Sequence, residues 1–554
     1  MKSKRLGRIT AFALIMLACL SWQLAAGGDG DKKSSGTQSQ DAGVLNPTGL
    51  PIVKTPVTLH FAGIQMNSTR VGRWDETDLM KDTEAKTGVK IVWDTVPQSS
   101  WKEKKNLMIA SRELPDGFMA SLSLDMNEIS MLGSEGVLIP LEDLINKYAP
   151  NIKTLMKEYP TYEPSVKSPD GHTYAIASLE ELGFDSFSTA IIRKDWLDKL
   201  GLKMPTTTEE FYQVLKAFKD KDVSGTGKTI PFSFLYKESQ MINREVKREF
   251  EWMFLPFGVA DNPYHVFIED NGEVVFTASQ PGFRDAIQYL HRLYSEGLID
   301  VEIFTQDRTL LTNKIRQNNV GLYTDYRLKL SMAAPESESL YTFLPPLKGP
   351  KGDQRWLRAQ IGISEGAFAL TSACKYPEVA MRWLDYNNQE ELNIQNRYGM
   401  FKEAGWTANE ALVPSVTVPG KWEVNTRPSS IQPNDWPFSS PISVMPVLSP
   451  RRLIDKFVAE KGSNVAKNEC CDFYRPYLTK NPYNYPWRFT LEELEELALL
   501  QMDLTNYIDK TQAKWIADGG VEREWNTYLQ ELKKYNVDRY LELYKNAYKR
   551  AQGK

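Results

Sequence analysis

Val57-Thr-Leu-His-Phe-Ala62, a helical pattern over 79–87 closed by Gly88, Val89-Lys-Ile-Val-Trp-Asp94, a second helical pattern over 101–111, and Leu114-Pro-Asp-Gly-Phe-Met-Ala120 follow one another along the chain. Short apolar runs bounded by turn residues suit buried strands, and 10-residue stretches with apolar side chains three and four apart suit helices. Glycine after the last periodic residue supplies the left-handed conformation that ends a helix. Strand, helix, strand, helix, strand is the order of an α/β sheet with crossover helices.

Working outward, Thr207 with Glu210 forms a capping box ahead of Phe211, Leu215 and Phe218. Phe283, Ile287, Leu290 and Tyr294 fall at helical spacing before Gly297, and Pro377 stands where a first helical residue would. Thr490 and Glu493 form a second capping box, and from there the chain reads as helical. Val537, Tyr540, Leu541, Tyr544 and Tyr548 make one face of a terminal amphipathic helix.

The 554 residues exceed one compact core, so two or more lobes are expected. Lys and Arg number 67 against 71 Asp and Glu, a net charge of −4, and the pI is near 5.9. That balance excludes a protein built to coat nucleic acid, which needs a basic surplus. A mean hydropathy of −0.43 excludes an integral membrane protein, and 11% aromatic content excludes bulk disorder. The four cysteines are too few for a disulfide scaffold. Cys470 and Cys471 are adjacent, where a bond would be strained, so these and Cys374 are read as plain thiols.

Lys2, Lys4, Arg5 and Arg8 precede an apolar stretch over 9–20 and the small residues Ala25-Ala26-Gly27-Gly28. A basic start, a short apolar core and a small-residue exit describe a secretory signal, so 1–28 is read as a signal peptide and the protein as exported. Met16-Leu17-Ala18-Cys19 has the form of a lipobox, which would lipidate Cys19; cleavage near Gly27 would instead release a soluble chain. Residues 29–55 are poor in apolar side chains and are read as a flexible tether.

Catalytic motifs are scarce. His60, His172, His265 and His291 are far apart, and no HExxH, CxxC or GxSxG occurs. Gly225-Thr-Gly-Lys-Thr229 resembles the end of a phosphate loop, but Asp222 stands where its first glycine belongs and Pro231 follows where a helix should run. The same stretch sets Asp222, Ser224, Thr226 and Lys228 at alternate positions, as in a calcium loop, which makes Asp222 a candidate metal ligand although the further carboxylates are missing. An exported glycosidase would need two carboxyls about 5–10 Å apart. Glu180-Glu181 with Asp185, and Asp75-Glu76, are candidates, but among 71 acidic residues no pair stands out.

The 14 Trp and 25 Tyr are informative. Trp196, Trp383 and Trp515 lie in helical patterns and belong to the core, whereas Trp74, Trp356, Trp406 and Trp436 stand in loop-like sequence. Aromatic rings stack on the C–H face of a sugar while Asn, Asp and Arg bond its hydroxyls.

Ile192-Arg-Lys-Asp-Trp-Leu-Asp-Lys-Leu-Gly-Leu202 running into Pro205-Thr-Thr-Thr-Glu-Glu-Phe211 resembles the extracellular solute-binding proteins of ABC importers, family 1, in its carbohydrate-type large lipoprotein form. Leu114-Pro-Asp116, Gly136-Val-Leu-Ile-Pro-Leu141, Leu293-Tyr-Ser-Glu-Gly-Leu-Ile-Asp300 with Phe304-Thr-Gln-Asp307, Pro345-Pro-Leu-Lys-Gly-Pro-Lys-Gly352, Met381-Arg-Trp-Leu-Asp-Tyr386 and Asp538-Arg-Tyr-Leu-Glu-Leu-Tyr544 fit the same resemblance in order.

The resemblance implies an α/β, two-lobe, periplasmic-binding-protein-like (type II) fold with three hinge crossovers and a helical C-terminal region. Lobe 1 would be 56–175 and 345–400, and lobe 2 would be 176–344 and 401–554. It implies a monomeric, non-enzymatic protein at the outer face of the cytoplasmic membrane, or secreted. There it would capture an oligosaccharide between the lobes and deliver it to ABC permease subunits. An exported polysaccharide-active enzyme, or a peptide- or lipid-binding protein on the same fold, are the alternatives. Ligand positions carried over by region are Trp74, Glu76, Ser121, Asp125, Glu180, Trp252, Phe257, Tyr326 and Trp436. Bound calcium is set against no cofactor, because the loop at Asp222 lacks the usual acids.

Overall fold

The computed structural model describes residues 43–65, 74–120, 123–159, 162–180, 189–237, 250–325, 332–333, 335–359, 363–403, 412–424, 445–458, 463–483 and 485–552. The opening strand Val57–Gln65 pairs in parallel with Val89–Pro97, Val57 opposite Val89 and Gln65 opposite Pro97. Helix Asp78–Thr87 connects them and stops at Gly88, whose φ of 73° lets its N–H reach the Glu84 carbonyl. These strands belong to a six-stranded sheet in the order Leu448–Ser449, Ile176–Glu180, Ile363–Leu370, Gly117–Met119, Val57–Gln65, Val89–Pro97. Strand Gly117–Met119 at its centre is buried throughout, and apolar clusters pack against the sheet. Gly63 is needed where two strands touch: a Cβ there would collide with the Met119 carbonyl oxygen.

A second sheet orders Tyr341–Phe343, Thr189–Arg193, Val320–Asp325 and Ile230–Phe232. Helix Thr208–Asp220 starts at the capping box, with Glu210 N donating to Thr207 Oγ1 at 3.1 Å, and buries Phe211, Leu215 and Phe218. One apolar core joins this sheet to helices Pro281–Ser295, Leu491–Asp518, Val521–Lys534 and Val537–Ala551. Thr490 and Glu493 cap the 28-residue helix reciprocally. Trp196, Trp383 and Trp515 are buried, as their helical spacing suggests. Cys470 and Cys471 are buried and Cys374 is half-buried.

The chain passes from the first sheet to the second after Ile176–Glu180, back by Ile363–Leu370, and away again after Leu448–Ser449. These passages differ in place from the sequence reading. Ile176–Glu180 pairs with Ile363–Leu370, so it belongs to the first sheet, whereas Leu347 and Trp356 pack in the core of the second. Leu412, Met445, Val447 and Leu448 sit with the first sheet's helices rather than with the C-terminal ones. Pairing partners far along the chain decide these memberships, and local periodicity does not carry them. The stretch read as a tether also ends earlier. Ile52 and Val53 are buried, Leu45 bridges Val53, and Arg382 donates to the carbonyls of Asn46 and Gly49. Among the described residues no helix is long and apolar enough to cross a membrane.

Candidate functional site

A cavity of about 650 Å³ opens between elements packed on the first sheet and the C-terminal region. One wall comes from the first sheet's side: Asp125, Asn127 and Ser130 at the start of helix Met126–Ser134, segment 164–171, and Glu365 from strand Ile363–Leu370. The other wall is aromatic, with Tyr264, Tyr483, Tyr485, Trp487, Phe489 and Tyr544, and Glu251 beside them.

Each wall has a local cause. Asp125 begins its helix: its carboxylate accepts from Glu128 N at 2.8 Å, and Glu128 Oε2 accepts from Asp125 N at 3.0 Å. Glu128 also holds the fully buried Lys105 ammonium at 2.5 and 2.6 Å, which ties the helix start to helix Gln98–Ser111. Trp101 Nε1 donates to the Ser123 carbonyl at 2.9 Å and steadies the approach. On the opposite wall, residues 485–490 are in neither helix nor strand, and Pro486 among them has no N–H to give a helix. Their rings rest edge-on against the terminal helix, Trp487 to Tyr544 at 4.8 Å and Phe489 to Tyr544 at 5.1 Å.

Burial pushes the Asp125 carboxyl up to about 7, helped by the charges of Glu128 and Glu365 and opposed by the Glu128 N–H and Lys105. Near neutral pH both its protonated and ionised forms are populated, and the protonated one can donate a hydrogen bond as well as accept one. A wall of rings faced by carboxyl and amide groups suits a ligand with apolar C–H faces and many hydroxyls.

Of the residues singled out in the sequence, Asp125 lines this cavity. Trp74 is buried edge-on against Trp93 at 5.0 Å, and Glu76 is exposed. Glu180 is buried, ion-paired with Arg397 and 3.3 Å from the Tyr398 hydroxyl. Trp252 lies in the second core, its Nε1 donating to Thr324 Oγ1 at 3.1 Å, while its neighbour Glu251 faces the cavity. Phe257 is half-buried against Tyr289 at 5.5 Å. Ser121, Tyr326, Trp406 and Trp436 lie outside the described residues. Trp356, read as a loop aromatic, is 1% exposed and stacked on Tyr474, so it is core. The aromatic wall itself was not singled out. Its signal is Asn481-Pro-Tyr-Asn-Tyr-Pro-Trp-Arg-Phe489, four rings at alternate positions in a proline-broken stretch with no helical stripe.

The loop at Asp222 is closed by its own hydrogen bonds. Its one carboxylate accepts from Thr229 Oγ1 at 2.6 Å, Gly227 N at 2.8 Å and Ser224 Oγ at 3.2 Å. Thr226 Oγ1 donates to Asn319 Oδ1 at 2.8 Å. Hydroxyls thus bond to one another where an ion would need several acids. Among the described residues no cluster of three or more His, Cys, Asp or Glu side chains could hold a metal. The same loop precedes strand Ile230–Phe232 rather than the helix whose start would hold a phosphate.

Comparison with known proteins extends the geometry. Streptococcus pneumoniae serotype 4 has a fructooligosaccharide ABC transporter substrate-binding protein, FusA, 32% identical over 496 residues, covering 86% of this chain and 88% of that protein. The solved structure of S. pneumoniae FusA in complex with kestose matches with a TM-score of 0.76 at 28% identity, over 90% of this chain and 99% of that one. Lipoprotein LipO of Bacillus subtilis (strain 168) is 28% identical over 341 residues, 59% of this chain and 63% of that protein. The family model for bacterial extracellular solute-binding proteins covers residues 69–391. That span includes strands of both sheets and the first two crossings, and the FusA likeness covers 86% of the chain: this chain belongs to the bacterial extracellular solute-binding protein family.

Proposed function

We propose that this chain is the exported binding component of an ABC importer, a monomer that captures an oligosaccharide in the cavity and hands it to permease subunits without cleaving it. The observation that carries the reading is the aromatic wall of Tyr483, Tyr485 and Trp487 facing Asp125 and Asn127 across about 650 Å³. The likeness to FusA, a fructooligosaccharide binder, supports it. The walls come from residues grouped with different sheets, so a ligand that touches both favours the closed arrangement by its differential affinity. The protein works at the outer face of the cytoplasmic membrane, anchored if processing lipidates Cys19 and released if it falls near Gly27.

Kestose is the first probe. Calorimetry of the chain with kestose and a panel of neutral oligosaccharides should show saturable binding, with the sugar recovered intact. Trp487→Ala should weaken binding about 10- to 100-fold, the usual effect of removing a stacked aromatic at the centre of a site. Cleaved sugar would move the reading to an enzyme, and no binding across the panel would overturn it.

We propose also that the 222–229 loop folds without calcium, supported by its closed hydroxyl network. The melting temperature should be the same with EDTA as with added calcium; a fall with EDTA that calcium reverses would contradict this.

A further inference from the structure

The aromatic wall is built from a segment that holds itself poorly. Segment 485–490 has no strand or helix pairing, and Pro482 and Pro486 contribute no N–H donors. Its one internal backbone bond is Trp487 N to the Tyr485 carbonyl at 3.0 Å. Ahead of the segment Tyr483 is well tied: its N donates to the Arg358 carbonyl at 2.9 Å, and Asn262 Nδ2 donates to its carbonyl at 3.2 Å. At the segment's far end the tie comes from the last turn of the terminal helix. Arg550 Nε donates to the Arg488 carbonyl at 2.8 Å, and its guanidinium pairs with Glu493. Glu493 in turn caps Thr490, accepting from Thr490 N at 2.9 Å. One planar side chain thereby joins three things: the backbone next to Trp487, the cap of helix Leu491–Asp518, and helix Val537–Ala551, whose Tyr544 and Tyr548 back the rings.

We infer that Arg550 is a positioning residue for ligand binding, setting the height and tilt of the Tyr485–Trp487 platform through the Arg488 carbonyl. The inference rests on the reading of the cavity as the oligosaccharide site. The guanidinium is suited to the task because its donors lie in one fork and can serve a carbonyl and a carboxylate together. Lysine carries the same charge on a single ammonium and can keep the Glu493 pair while losing the carbonyl bond. The two substitutions therefore separate positioning from plain stabilisation.

The experiment uses the full exported chain with Arg550→Ala, Arg550→Lys and, as a control on the same turn, the exposed Lys549→Ala. Hydrogen–deuterium exchange of the peptide covering 483–490 and kestose affinity are read together with the melting temperature. Arg550→Ala should speed exchange over 483–490 roughly tenfold and weaken kestose roughly tenfold, the scale of one charge-assisted hydrogen bond. Arg550→Lys should recover the melting temperature but neither the slow exchange nor the affinity. Lys549→Ala should match the parent in all three. Unchanged exchange over 483–490 in Arg550→Ala, or full recovery of affinity by lysine, would overturn the inference. If the parent chain binds no oligosaccharide, the functional reading fails, and the exchange arm alone still decides whether Arg550 holds the segment.

Discussion

Glu128→Ala should destabilise the protein by about 3–5 kcal/mol, the range for removing one partner of a buried ion pair. Lys105 is 0% exposed, with its ammonium 2.5 and 2.6 Å from the two Glu128 oxygens and 3.4 Å from the Ser123 carbonyl. Removing the carboxylate takes from the buried ammonium the two oxygens it sits against. It also breaks the capping box at Asp125, worth about 1 kcal/mol. Urea denaturation at neutral pH measures the sum, and a cost under about 1 kcal/mol would contradict the argument. The double variant Lys105→Met with Glu128→Leu should recover most of the loss, because apolar replacement of a whole buried pair is often neutral.

The same variant carries a pH signature. The Asp125 carboxyl titrates at about 7 in the folded chain, well above its ordinary 3.8, so the native state holds a proton that the unfolded state has lost. Stability attributable to this group therefore falls as pH rises from about 4 to about 7, and is level outside that window. Glu128 supplies the largest charge contribution to the shift after burial, so the slope should flatten in Glu128→Ala.

Trp356→Ala should cost about 3–5 kcal/mol, the usual range for deleting a buried Trp. The ring lies over Tyr474 at 4.1 Å with planes 12° apart, and against Trp252 at 5.7 Å. Tyr474 is itself fixed, its hydroxyl donating to the Leu344 carbonyl at 2.9 Å. The cavity left would lie among rings that cannot collapse into it, which puts the cost at the upper end. Strand Trp356–Arg358 pairs with Leu478–Pro482, the run that leads into the aromatic wall, so kestose affinity should fall in step. A loss below about 1.5 kcal/mol in urea denaturation would show that the stack is not the keystone of this core.

Much of the fold was legible because its signals are local. Gly88, the boxes at Thr207 and Thr490, and the apolar runs at Val57 and Val89 each state their conformation within a few residues. Sheet membership was not, because Ile176–Glu180 is assigned by its partner Ile363–Leu370, nearly 200 residues on. The cavity was legible at Asp125 only. Its walls are drawn from 125–171, 251–264, Glu365 and 483–550, and no periodicity links those segments. Loop-like sequence around Trp356 also concealed a core ring, since a three-residue strand is too short to show alternation.

The packing of residues 43–53 has a mechanical consequence. A load carried along the backbone from the N-terminal side enters the molecule where Arg382 grips the Asn46 and Gly49 carbonyls and where Ile52 and Val53 are sunk among the first sheet's helices. That sheet carries Asp125 and Glu365, whereas Tyr485 and Trp487 ride on the C-terminal helices. For a chain held by its leading end, the pull thus reaches the carboxylate wall before the aromatic one.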